Sequence, residues 1–313
     1  MGQPGRSADA APDAAPGASP GAAARAPLLG MLTALLRNRL ALAGFVIVGL
    51  LVLGALLAPL VAPQNPYDLS KLNFMDGRLP PGSMSTDGSV YLLGTDDQGR
   101  DMLSAILYGL RTSLLVGVAS AAIALVIGAA AGLVSAYAGG RTDAVLMRVV
   151  DIQLSFPSIL IALILLAVLG QGVSKIILAL VVTQWAYYAR TVRGSALVES
   201  RRAYVDAARS MALSDRRIIF RHILPNCLPP LIVVATMRVA YAIMLEATLS
   251  FLGIGLPVTQ PSLGLLIANG FAYLMSGNYW ISVFPGVTLL LLIVGINLIG
   301  DALRDILNPR REG

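Results

Sequence analysis

The stretch Tyr204-Val205-Asp206-Ala207-Ala208-Arg209-Ser210-Met211-Ala212-Leu213-Ser214-Asp215-Arg216-Arg217, continuing to Arg221-His222-Ile223-Leu224-Pro225-Asn226, separates two long apolar runs. Eight of the chain's 23 Lys and Arg residues fall between Arg190 and Arg221. On a helix through the first half, Ala207, Ala208, Met211 and Ala212 share one face. That face is small and flat apart from one adaptable Met, which suits close approach by another surface. Leu213 breaks the pattern, and Ser214 and Asp215 read as the N-cap and first residue of a second short helix. It carries Ile218, Ile219, His222 and Ile223 until Pro225 forbids continuation. Arg202 and Asp206 are spaced as an i,i+4 pair. The spacing predicts a helix–turn–helix lying along a membrane face. The alternative reading is an ordinary basic loop held by anionic lipid.

Working outward, the 313 residues are 56% hydrophobic and only 13% charged, about half the roughly 25% charge of soluble domains. Mean hydropathy is +0.75. These values place the chain in the membrane class. The net charge of +6 does not point to nucleic acid, because the cations sit at the ends of apolar runs and form no single basic face. One cysteine, Cys227, excludes a disulfide within the chain, and with one histidine it leaves too few soft ligands for a zinc or iron–sulfur site.

Apolar runs predict an all-α integral membrane protein with six transmembrane helices. Residues 1–36 are rich in Ala, Pro, Gly and Ser and read as a disordered tail. A cleaved signal peptide is not expected, because the apolar run after Arg39 is too long for one. The segment 37–110 holds the first span, Leu40 to Val61, and an external stretch of Pro, Gly and Asp turns. Its end, Gly94-Thr95-Asp96-Asp97-Gln98-Gly99-Arg100-Asp101, leads into an interfacial helix from Met102; the acidic cluster lacks the Gly and closing Glu of a calcium loop. The core, 111–303, holds the other spans. They are Ser113 to Tyr137, with Gly128 and Gly132 as a close-packing pair; Ala144 to Leu169, kinked at Pro157; Lys175 to Val192; Leu228 to Leu252; and Tyr279 to Leu303. The central loop occupies 194–226, Gly253 to Asn278 forms an external loop, and 304–313 is a tail. Only Lys71, Arg78, Arg100, Arg111 and Lys175 fall on the predicted external side. That asymmetry predicts both termini in the cytoplasm and a multi-pass protein of the cytoplasmic membrane.

Arg238 and Glu246 lie inside the fifth span, about 12 Å of rise and about 80° of rotation apart. Charges at such depth face a cavity or a partner. They are candidates for lining a translocation path; the alternative is structural pairing with Asp151, Asp301 or another subunit.

The central loop resembles the EAA motif of binding-protein-dependent ABC importers: Glu-Ala-Ala, three residues, Gly, nine residues, Ile, one residue, Leu-Pro. Asp206-Ala207-Ala208 fills the triplet, Ala212 stands at the Gly position, His222 at the Ile position, and Leu224-Pro225 closes the pattern. Ala resists the positive φ that Gly permits, so the turn is expected to be less sharp or shifted to Leu213 and Ser214. Arg221 to Asn226, Gly94 to Asp101, Leu249-Ser250-Phe251-Leu252-Gly253-Ile254-Gly255 and Asn297-Leu298-Ile299-Gly300-Asp301-Ala302-Leu303-Arg304-Asp305 resemble the C-type permease subunit of dipeptide, oligopeptide and nickel ABC importers. The likeness runs from about Arg37 to Arg311.

That resemblance implies an ABC type-1 transmembrane domain, paired with a second homologous permease subunit, two cytoplasmic ATPase subunits and an extracytoplasmic solute-binding protein. It implies that Asp206, Ala207, Ala208, Met211, Ala212, Leu213, Leu224 and Pro225 form the ATPase-coupling element. It further implies import of di- or oligopeptides, with nickel, glutathione or another solute as alternatives. ATP and Mg would sit on the partners; Lys71 and Lys175 both follow Ser, so this sequence has no P-loop. No catalytic residue, metal site or bound cofactor is expected. A secondary transporter is the more distant reading, and the chain lacks the inverted repeats such proteins show.

Overall fold

A computed structural model describes Leu35 and residues 38–68, 72–85 and 88–307. The tail to residue 36 (apart from Leu35), Lys71, Arg310 and Arg311 lie outside the described residues.

Helix α1 (Arg39–Val61) starts on Asn38, whose side chain accepts from the Leu40 and Ala41 amides, and stops before Pro63. Glycine lets it approach α10 (Trp280–Leu307): a Cβ at Gly44 would stand 2.9 Å from the Gly295 carbonyl oxygen. The other side of α1 turns leucines outward.

Between α1 and α2 lies a folded cap, which the composition had suggested only as turns. Strands β1 (Ser83–Met84) and β2 (Val90–Tyr91) form a small antiparallel hairpin, with Ser83 opposite Tyr91. Asp76 anchors it, accepting from Ser85 Oγ at 2.6 Å and Tyr91 Oη at 3.2 Å. Asp96 accepts from the Arg100 amide at 2.9 Å and Nε at 2.6 Å. Asp101 caps α2 (Met102–Ala138) through the Ser104 amide and hydroxyl. Two of the acids, Asp96 and Asp101, are therefore consumed by a turn and a helix cap. Trp280 Nε1 donates to the Thr95 carbonyl at 3.0 Å and ties the cap to α10.

The expected interfacial helix and second span are one element. Helix α2 has 37 residues, about 55 Å at 1.5 Å per residue. No Pro or turn residue interrupts it, and Gly109 is accommodated by close contact with Ser262 and Leu263. Gly128 and Gly132 pack within the subunit, against α5 (Val173–Glu199): a Cβ at Gly132 would stand 2.5 Å from the Ala189 carbonyl oxygen.

The third span is broken, not kinked. Helices α3 (Gly140–Ser155) and α4 (Ser158–Leu169) meet at 89°, because Pro157 forces Phe156 into an extended backbone, φ −98° and ψ 141°. By length and apolarity four helical stretches can cross a membrane among the described residues, and the bent pair makes a fifth. The expected fourth span, α5, is long enough at 27 residues but more polar, since it buries Thr183, Gln184 and Tyr188. It also runs seven residues past the predicted end at Val192, into the loop assigned to 194–226.

The remaining elements are α6 (Ala203–Ser210), α7 (Asp215–Ile218), α8 (Leu224–Phe251) and α9 (Leu263–Phe271). The expected loop from Gly253 to Asn278 folds back as α9, capped by Ser262, with Leu263, Leu265 and Leu266 buried. Gly264 and Gly270 allow it to touch the backbones of Ala247 and Ile281. One buried cluster joins α2, α8, α9 and α10; a second joins α2, α5 and the 203–227 stretch; a third joins α2, α4, α5 and α8.

Candidate coupling surface and intramembrane charges

The two halves of the 203–226 stretch form a helical hairpin seated on α2 and α5. Val205 and Ala208 point inward, at 0% and 1% exposure, and pack with Ile218, Ile223 and Cys227. Asp206, Ala207, Met211 and Ala212 are exposed. The expected four-residue face thus divides, because Ala208 belongs to the base while its neighbours belong to the surface. Arg202 pairs with Glu199 at 3.6 Å and Arg209 with Asp206 at 3.5 Å, replacing the expected Arg202–Asp206 pair. Both are i,i+3 contacts; the expected i,i+4 pair is lost because Arg202 precedes α6 in extended conformation, φ −79° and ψ 143°.

The turn does not avoid Ala212. Ala212 has φ 54°, and its amide donates to the Arg209 carbonyl at 2.9 Å while Leu213 donates to Ala208 at 3.2 Å. These two bonds make a Schellman cap with alanine in the position glycine usually holds. Half-buried Leu213 then packs on the same cluster as Ala208.

Nor does Pro225 end the second helix. Residues Ile219 to Ile223 form a π-turn, and the Leu224 amide donates to Ile219, five residues back. The widened turn relaxes the ladder where Pro225 supplies no N–H, so Asp215 to Phe251 runs as one helical stretch of 37 residues. Leu224 is half-buried and Pro225 exposed. Asn226 Nδ2 donates to the His222 carbonyl at 2.7 Å and to Tyr204 Oη at 3.0 Å, and Tyr204 Oη donates to Glu199 at 2.7 Å. Burial and this bond to Glu199 hold the Tyr204 phenol above its ordinary value. Tyr137 Oη, at the end of α2, donates to Asp215 at 2.5 Å. Arg193 reaches Asp143 with two nitrogens, at 2.5 and 2.6 Å, and Ser135 also donates to Asp143. The hairpin therefore stands on a braced base.

The two intramembrane charges are not brought together. Glu246 is fully buried and accepts from Ser113 and Ser250 hydroxyls, each at 2.8 Å. Asp151 pairs with Arg190 instead. Arg238 stacks on Tyr187, its guanidinium carbon 3.4 Å from the ring centre, with Tyr241 at 5.3 Å.

Residues 124–313 match the family of binding-protein-dependent transport system inner membrane components. The chain belongs to this family. Residues 27–81 match the N-terminal transmembrane domain of oligopeptide transport permease C. A putative peptide transport system permease protein of Brucella abortus is 43% identical over 91% of this chain and 93% of its own length. The dipeptide transport system permease protein DppC of Escherichia coli K12 is 42% identical over 88% and 90% respectively. The di/tripeptide transport system permease protein DppC of Pseudomonas aeruginosa is 37% identical over 91% and 93%. The fold is also that of a chain of the inward-facing MetNI methionine ABC transporter, with TM-score 0.55 and 22% identity over 66% of this chain and 97% of that one. The protein is thus a multi-pass inner-membrane ABC permease with a type-1 transmembrane fold.

Sequence reading of this permease missed the serine nest around Glu246. Ser113, Ser250 and Ser262 lie far apart in the chain, and nothing in their spacing predicts convergence. The one available sign was that each sits at the edge of an apolar run.

Proposed function

We propose that this permease moves di- or oligopeptides inward through an ATP-driven importer, and that its 203–226 hairpin is the contact driven by the ATPases. The named relatives support the peptide assignment. A single observation carries the coupling assignment: exposed Asp206, Ala207, Met211 and Ala212 cap a hairpin whose underside, Val205, Ala208, Ile218 and Ile223, is locked into α2 and α5. A push on such a surface is transmitted to the spans and not absorbed by the loop. Small exposed side chains allow a partner's backbone to come close. The partners in this reading are two cytoplasmic ATPase subunits, which hold ATP and Mg, a second homologous permease subunit, and an extracytoplasmic binding protein.

The test uses the assembled transporter in proteoliposomes. Asp206→Arg or Ala207→Trp should insert normally yet lose substrate-dependent ATPase stimulation. Normal stimulation in both variants would sink the coupling assignment, and uptake that persists after ATP depletion would sink the importer.

A further inference from the structure

Arg238, a cation at mid-span, has no carboxylate partner among the described residues. The ring faces of Tyr187 and Tyr241 lie 3.4 and 5.3 Å from its guanidinium carbon; they attract a cation but accept no N–H hydrogen bond in the ordinary sense. Among the described residues no side-chain hydrogen bond or ion pair engages it. Gln184 and Tyr188, on the adjacent turns of α5, are fully buried with polar atoms that have no protein partner. Unmet polar groups at membrane depth point to water or a polar ligand, since lipid supplies no hydrogen bonds.

A neighbouring face of α8, about a quarter turn round from Arg238 and joined to it by Tyr241, is open and unlike a lipid face. Met237, Tyr241, Met244 and Thr248 recur at intervals of four, three and four and are exposed or half-buried, so they form one stripe. By contrast, α1 turns Leu40, Leu50, Leu56 and Leu60 outward. Met and Tyr adapt to ligands of varied shape, which suits a surface that must pass many side chains without selecting among them.

We infer that this α8 stripe is a wall of the transport path and that Arg238 receives the C-terminal carboxylate of a peptide in transit. A guanidinium stacked on Tyr187, with Tyr241 at 5.3 Å, presents a fork matched to a carboxylate. Glu246 takes no part, being sealed among its serines. The inference rests on the peptide reading above.

The experiment uses the assembled transporter in proteoliposomes, with dialanine and its C-terminal amide each supplied on saturated binding protein. Wild type should take up dialanine about tenfold faster than the amide, and Arg238→Gln should bring that ratio near one while the assembled transporter is recovered in wild-type yield. Arg238→Lys should recover much of the ratio. With Cys227 replaced by Ala, Arg238→Cys should react with sulfonatoethyl methanethiosulfonate at least tenfold faster than a Val126→Cys control on the outer face of α2. An unchanged ratio in Arg238→Gln, or reaction no faster than the control, overturns the inference. So does loss of the second permease subunit on purification of Arg238→Gln, which would make Arg238 an assembly contact. Wild type that transports no dialanine would overturn the peptide reading itself, a result distinct from an unaltered variant.

Discussion

Leu213 donates its amide proton to the Ala208 carbonyl at 3.2 Å, closing the α6 cap over a left-handed Ala212. An L-residue there costs about 1–2 kcal/mol that glycine does not. Glycine's freer unfolded chain returns about 0.4–1 kcal/mol of that difference. Ala212→Gly should therefore steady the hairpin by roughly 0–1.6 kcal/mol, or up to about fifteenfold in local opening. Ala212→Val, β-branched at positive φ, should loosen it. Hydrogen exchange of the Ala212 and Leu213 amides reads both. Equal protection in the glycine and valine variants would show that the cap is not strained.

The sequence made the spans legible because apolar runs must be long to cross a bilayer, and it made the hairpin legible because its charges and small residues stand out between them. It could not show what depends on tertiary partners. Ala212 keeps a conformation its side chain disfavours because Leu213 and Ala208 share one buried cluster. Pro225 is tolerated because a π-turn precedes it, and α9 folds inward because glycines at 264 and 270 meet backbone from two other helices. The sequence singles out Arg238 and Glu246 as charges at membrane depth, yet only three dimensions separate a carboxylate sealed among serines from a half-buried cation stacked on Tyr187.

The Arg193–Asp143 pair spans α5 and α3, with Ser135 of α2 bonded to the same carboxylate. Side-chain exposures of 30% and 23% leave it partly screened, so its coupling should be about 1 kcal/mol, at the upper end of exposed pairs. A double-mutant cycle with Asp143→Ala and Arg193→Ala, read from thermal melts in detergent, measures it. Arg193→Lys should lose most of the coupling, because a point charge cannot make both bonds. A lysine variant matching wild type would mean that charge alone matters.

Glu246 accepts from hydroxyls on α2 and α8 that can rotate. Glu246→Gln should therefore keep the nest, with the new amide donating to one serine, and leave uptake and peptide selectivity near wild type. Glu246→Ala strands the Ser113 and Ser250 hydroxyls beside a void, at a cost of about 1–3 kcal/mol for each buried unpaired group. The yield of assembled transporter should fall accordingly. Altered selectivity in Glu246→Gln with normal yield would instead place Glu246 on the path.

Asp97 sits in the cap beside Asp96, and its Oδ1 is buried without a hydrogen-bond partner. Burial first and the Asp96 charge second raise its pKa above the ordinary 3.8, against the pull of Arg100 and Arg78. The folded cap thus binds this proton more tightly than the unfolded chain does. Stability is favoured below 3.8 and declines as pH rises from there through the raised folded value. At neutral pH the Asp97 charge is a net liability to the cap. Asp97→Asn should remove this step and make the segment from Gly94 to Asp101 more protected at neutral pH than in wild type. Hydrogen exchange across that segment, corrected for intrinsic rates, follows both chains between pH 4 and 7. If wild type and Asp97→Asn keep the same relative protection across the series, the carboxylate is solvated in the folded cap and the burial argument fails.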